Sequence, residues 1–195
     1  MKNLVLLIVA VIICFTVDAQ LVSSRIFTVE KKESNSGMIL ELGLGSLGGS
    51  VSDDNDNSTD IKGDGVSVDF ALGYRKVFTS YIAWDIFKLR AFAQISNLGE
   101  TVTPQLLTAV RGTSPVLFAN AKAYASAGLG YGYTIDAEAG GLCYELQAGI
   151  DITPNIYMGL VYSAQKFGKE EYYSGDYYNL NYNVTFTGLR VGFKF

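Results

Sequence analysis

The sequence predicts an all-β chain, an eight-stranded antiparallel up-and-down transmembrane β-barrel, and three observations predict it. The last eight residues, Gly188 to Phe195, set Leu189, Val191, Phe193 and Phe195 on one strand face and Arg190 and Lys194 on the other. A strand apolar on one side and charged on the other suits a wall between lipid and a filled lumen; in a soluble protein it would leave an apolar terminus frayed in water. The same period of two recurs in segments spaced along the chain. Beyond the first nineteen residues, no apolar run approaches the ~20 residues that a membrane helix needs.

Residues 1–19 read as an export signal. Lys2 supplies the positive start, Leu4 to Phe15 the apolar run, and Val17-Asp18-Ala19 the site, so cleavage is expected after Ala19. Residues 20–36, centred on Glu30-Lys31-Lys32-Glu33, are expected to form a polar periplasmic leader, and residues 37–195 the barrel. Cys143 is then the one cysteine left, so no intramolecular disulfide can form.

The first strand alternates Met38, Leu40, Leu42 and Leu44 with Ile39, Glu41, Gly43 and Gly45. Gly48 to Gly65, with Asp53-Asp54-Asn55-Asp56-Asn57 inside it, favours turns and hydration and is expected to be an outward loop. The second strand sets Val66, Val68, Phe70, Leu72 and Tyr74 against Ser67, Asp69, Ala71, Gly73 and Arg75, and Lys76 to Thr79 makes a tight periplasmic turn. In the third strand, Ser80 to Ile95, Lys88 and Arg90 fall on the Trp84 face, and a bulge near Phe87 would restore the pattern. The fourth, Thr101 to Arg111, alternates poorly, and Pro104 lacks a ladder donor.

The fifth strand is clean, with Ala123, Ala125, Ala127, Leu129, Tyr131 and Tyr133 opposed to Lys122, Tyr124, Ser126, Gly128, Gly130 and Gly132. Glycines on the inner face leave room for large lumen side chains in a narrow barrel. The sixth sets Tyr144, Leu146, Ala148, Ile150 and Ile152 against Cys143, Glu145, Gln147, Gly149 and Asp151. Thr153-Pro154-Asn155 is a second tight turn before the seventh strand, Ile156 to Phe167, and Gly168 to Asn179 reads as a second long outer loop. The eighth strand closes the chain.

With no histidine anywhere, the commonest general base and metal ligand are missing, and no carboxylate or Ser-Lys pair stands out by spacing. The reading is therefore a non-enzyme without cofactor. A net charge of −4 and the lack of a basic cluster argue against a nucleic-acid partner. The acidic stretch Asp53 to Asp64 lacks the ligand spacing of an EF-hand and reads as a hydrated loop.

The sharpest chemical expectation concerns the inner face, where Glu41, Asp69, Glu145 and Asp151 meet Arg75, Lys122, Arg190 and Lys194. Four acids against four bases point to interlocking salt bridges that plug the lumen, since a channel lining would show an excess of one sign. Tyr172, Tyr173, Tyr177 and Tyr178 crowd the last outer loop and suit either an interfacial girdle or contact with a partner.

Together these features resemble the small outer-membrane β-barrel family of the OmpX and OmpA-barrel kind, over about Gly37 to Phe195. Phe193 and Phe195 match the alternating terminal aromatics of that family's assembly signal, which Leu189 and Val191 continue, although Arg190 stands where the family has Gly. The resemblance implies the bacterial outer membrane, a lipid bilayer and the barrel assembly machinery as partners, and a surface-interaction or envelope role. A small-solute, porin-like channel is the second expectation. The third is a soluble lipocalin-like barrel, which would turn Trp84, Tyr131 and Phe193 inward.

Overall fold

The computed structural model describes residues 36–53, 61–96, 99–118, 121–135, 138–173 and 176–195. The expected export signal lies outside the described residues, as does the leader up to residue 35.

Eight strands follow one another around a closed antiparallel barrel: β1 (Gly37–Asp53), β2 (Ile61–Val77), β3 (Ile82–Ser96), β4 (Gly99–Phe118), β5 (Ala121–Thr134), β6 (Ala139–Asp151), β7 (Ile156–Tyr173) and β8 (Asp176–Lys194). Closure by the β1–β8 ladder removes every sheet edge, so each strand's backbone groups find partners on both sides. Gly37 and Phe195 mark the lower end of the barrel, and the β1–β2 and β7–β8 tips its upper end.

The ladders fix the stagger. From Leu40 the paired row runs through Leu72, Leu89, Leu106, Tyr131, Leu142, Lys166 and Asn183 and returns to β1 at Ser50, ten residues higher. For eight strands such a stagger goes with a tilt of roughly 35–45° and an interior that side chains can fill. The row is apolar from Leu40 to Leu142 and polar at Lys166, Asn183 and Ser50, so the spiral climbs out of the apolar belt at β7, β8 and β1.

Alternation decides which side chain faces which way. Leu44, Val68, Leu89, Leu106, Leu129, Leu146, Leu160 and Leu189 point outward and are exposed, while Glu41, Asp69, Arg90, Gln105, Glu145 and Arg190 point inward and are buried. The lipocalin-like expectation is thereby corrected: Trp84 and Tyr131 lie on the outer wall, 39% and 57% exposed, and charge fills the inside.

The bulge falls in β3. Tyr74 pairs with Phe87 but Arg75 with Asp85, and on the other side Asp85 pairs with Ala109 but Lys88 with Leu107. Ile86 and Phe87 therefore both face outward, and the extra residue returns Lys88 and Arg90 to the lumen. β4 is longer than its pattern suggested, and its ladder to β5 begins at Gln105, one residue past Pro104.

The two long loops need correction. The β1–β2 ladder continues to Val51↔Ile61, which makes most of Gly48 to Gly65 strand, and the β7–β8 ladder continues to Tyr173↔Asp176. Composition read these stretches as hydrated loops, but a hairpin's backbone bonds hold residues of any polarity once the neighbouring strand is in place. The lower turns match the expectation of tightness and share one chemistry. Thr79 Oγ1 accepts from the Tyr81 and Ile82 amides, and Thr153 Oγ1 accepts from the Asn155 and Ile156 amides, each at 2.9–3.2 Å.

Candidate functional site

The lumen is built in three layers. In the middle, β8 lays Arg190 across the barrel, where Nε donates to Asp69 Oδ2 at 2.8 Å and Nη1 to Glu41 Oε2 at 3.0 Å and Glu145 Oε2 at 2.8 Å. Arg190 Nη2 also donates to Asp69. From β3, Arg90 Nε donates to Asp69 Oδ1 at 2.7 Å, and its Nη1 lies 2.9 Å from Glu145 Oε2, off the angle of a hydrogen bond. Lys88 Nζ donates to Glu41 Oε2 at 3.2 Å and to Glu145. Three carboxylates thus face three cations, all nearly inaccessible to water. Each ion would cost several kcal/mol to bury alone, and this mutual arrangement offsets that cost.

Below it, Arg75 grips Asp85 with Nε at 2.6 Å and Nη2 at 3.0 Å. Arg111 donates to Asp151 and stacks on Tyr124, 3.5 Å above the ring centroid, with Tyr157 at 4.5 Å. Tyr157 ties this layer to the middle by donating to Glu41 Oε1 at 2.7 Å, and its ring lies against Gly192, where a Cβ would collide with it. Lys122 of β5 pairs in register with Asp151 of β6 and is half-buried, and Lys194 of β8 is buried.

Above, the lining turns apolar and then amide. Leu47, Phe92, Val161 and Phe186 pack together, with Phe92 and Phe186 stacked at 5.1 Å and Arg90 over Phe92 at 3.9 Å. Gln105 Nε2 donates to Gln165 Oε1 at 2.9 Å across the lumen, and Gln165 occupies the space that a side chain at Gly132 would need.

Of the sequence-nominated charges, the structure brings together Glu41, Asp69, Glu145 and Arg190 in one layer, and Arg75, Lys122, Asp151 and Lys194 in the layer beneath. Asp85, Lys88, Arg90 and Arg111 were missed. Lys88 and Arg90 stand out of phase before the bulge is applied, and Arg111 stands at the end of the weakly patterned stretch Thr101 to Arg111, inside β4; the alternation Thr103, Gln105, Leu107, Ala109, Arg111 was the available signal. Leu189, Val191 and Phe195 face outward and are exposed. Tyr172, Tyr173, Tyr177 and Tyr178 belong by backbone to the β7–β8 hairpin, and their side chains lie outside the described residues.

A closed wall with an apolar outside and a charged, hydrogen-bonded inside defines a transmembrane β-barrel. No protein-family model matches the chain, and no curated protein does. Among solved structures it is similar to Neisserial surface protein A, with a TM-score of 0.48 at 12% identity over 83% of this chain and 99% of that one. It is similar also to the outer membrane protein OprG from Pseudomonas aeruginosa, with a TM-score of 0.40 at 11% identity over 85% and 100%. A third is the outer membrane protein AlkL, studied in DMPC lipid bilayers, with a TM-score of 0.43 at 13% identity over 86% and 95%.

Proposed function

We propose that this chain is a non-enzymatic integral protein of the bacterial outer membrane, with a lumen plugged by salt bridges, that presents acidic and tyrosine-rich hairpin tips for surface interaction or envelope structure. The observation that carries the plugged lumen is the middle layer, where Arg190, Arg90 and Lys88 interlock with Glu41, Asp69 and Glu145 from strands on all sides of the barrel. A water-filled pore would favour an excess of one sign, and this layer is balanced.

The upper rim supports the second half of the reading. β1 and β8 remain paired up to Asp53↔Leu180, so the strand ends that lead into the acidic and the tyrosine-rich stretches stand side by side. The β5–β6 ladder stops at Thr134↔Ala139, which leaves that side of the rim low. Charged and aromatic segments carried at the end of a barrel are a common way to engage a partner. Assembly through the outward Leu189, Val191, Phe193 and Phe195 belongs to the same proposal.

Reconstitution into planar bilayers tests the plug: the expected record is flat, and stable stepwise conductance would establish the small-solute channel instead. A urea or carbonate wash of membranes tests integration, with retention in the pellet expected. For the tips, cells expressing variants that lack residues 53–60 or 172–177 are expected to lose surface adhesion; adhesion surviving both deletions would remove the interaction role.

A further inference from the structure

Seven of the eight ladders join consecutive strands, and in a hairpin the connecting segment constrains the register. The eighth, between β1 and β8, joins strands from opposite ends of the barrel sequence and has no connection to constrain it. Its outer face does not choose a register either. Leu40, Leu42 and Leu44 line β1, and Leu189, Val191 and Phe193 line β8, so a slip of two residues sets one apolar row against another and keeps every side chain on its own side of the wall. The same eight strands would then close with a stagger two residues shorter or longer than the observed ten.

The inner face does choose. Arg190 of β8 donates across the seam to Glu41 of β1 and Asp69 of β2, and on its other side to Glu145 of β6. Lys88 and Arg90 of β3 reach the same carboxylates through strands joined as hairpins, so a slip at the seam spares their bonds. The ion pairs of this layer that span the seam belong to Arg190, and Tyr157 adds one neutral hydrogen bond to Glu41. The register partners of Arg190 are both glycines, Gly43 on β1 and Gly159 on β7. A Cβ at Gly43 would fall 2.9 Å from Asp69 Oδ2, and one at Gly159 would fall 2.6 Å from Tyr124 Oη. A slip of two moves Glu41 and Asp69 about 7 Å relative to Arg190 while Glu145 stays beside it, so the bonds that meet at the guanidinium cannot all form. We infer that Arg190 is the register lock of barrel closure: among pairings of β1 and β8 that the apolar face accepts equally, it selects the one in which Glu41, Asp69 and Glu145 converge. Fixing register is the best attested use of a buried ionic group, because a charge left unmatched in a dry interior costs far more than one apolar contact exchanged for another.

Cysteine pairs on the outer face read the register directly, in the full chain carrying Cys14→Ala and Cys143→Ala. Leu44 is paired with Leu189, so Leu44→Cys with Leu189→Cys lies within disulfide reach. Leu44→Cys with Thr187→Cys or with Val191→Cys is a diagonal of about 7–8 Å that only a slip makes direct. In otherwise unchanged barrels folded in membranes, oxidation should link the first pair about tenfold or more faster than either diagonal. Arg190→Gln should bring one diagonal to within about twofold of the first pair, and Arg190→Lys, which keeps the cation, should preserve the original order. Arg190→Gln together with Glu41→Gln leaves Asp69 and Glu145 against Lys88 and Arg90, so the layer stays neutral and register is tested apart from uncompensated charge. The same mixing of pairs is expected there. The original cross-linking order in that balanced variant would overturn the lock, and so would its failure to give a heat-modifiable folded band, which would make the layer a requirement of stability alone.

Discussion

Arg190 holds three carboxylates at once, and its neighbours on β8 are shaped around that task. Replacing it with Met leaves Glu41, Asp69 and Glu145 against Lys88 and Arg90 alone, one negative charge uncompensated in a dry interior. The expected cost is about 3–5 kcal/mol, read as a lower urea midpoint of the folded barrel in detergent. Two residues on, Gly192 yields its space to the Tyr157 ring, so Gly192→Val should cost about 1–3 kcal/mol by overpacking. Adding Tyr157→Ala should recover part of that loss, and the check is a double-mutant cycle whose coupling is non-zero. The role of Arg190 was legible in the sequence, because strict alternation in an end strand leaves only one side for a guanidinium. The filling of Gly192 by Tyr157 was not, since the two residues meet through a ladder 35 positions apart in sequence whose register no local pattern states.

At the scale of the strand, β3 shows what alternation can and cannot reveal. The mismatch of Lys88 and Arg90 with Trp84 announced a bulge, and the structure puts it at Ile86 and Phe87, with both side chains outward. Deleting Phe87 alone leaves Asp85, Ile86 and Lys88 in unbroken alternation, so Lys88 and Arg90 keep facing the lumen and this variant is expected to give a heat-modifiable folded band on gels. Deleting Ile86 and Phe87 together sets Lys88 directly after Asp85 and turns Lys88 and Arg90 toward lipid, where each charge at mid-membrane costs about 2–4 kcal/mol, and Glu41, Asp69 and Glu145 lose two of their three cations as well. The double-deletion variant is expected to yield no folded band. Strand identity was readable wherever one face was apolar. It failed at Gly48 to Gly65 and Gly168 to Asn179, where β1, β2, β7 and β8 continue above the belt; polar residues already stand on the outer face as these stretches are approached, at Ser46, Lys166 and Thr187. There the period of two carries no hydrophobic contrast, and only pairing with the neighbouring strand defines the element.

For the whole molecule, the decisive property is which side of the closed wall is apolar, and one residue reports it. Trp84 is the single tryptophan of the chain. It sits on the outer face near the lower turn of β2 and β3, stacked with Phe78 at 6.5 Å, and its Nε1 donates to Thr108 Oγ1 at 2.7 Å. That position, an apolar ring with a tethered polar edge close to a barrel end, matches an interfacial aromatic girdle. In bilayers of brominated lipids, Trp84 emission should therefore be quenched, and more strongly by bromines placed near the headgroup than by bromines near the chain end. A wall with the opposite sidedness would bury Trp84 in the lumen and leave its emission indifferent to bromine at any depth. Phe78→Ala should leave the quenching pattern in place while loosening the ring, seen as lower fluorescence anisotropy, because membrane depth is set by the strand and the stacking partner only restrains rotation. Should deep bromines quench Trp84 best, the lower edge of the belt would have to lie beyond the β2–β3 turn, and the lower layer of charge with Lys122 and Asp151 would then sit inside the membrane core.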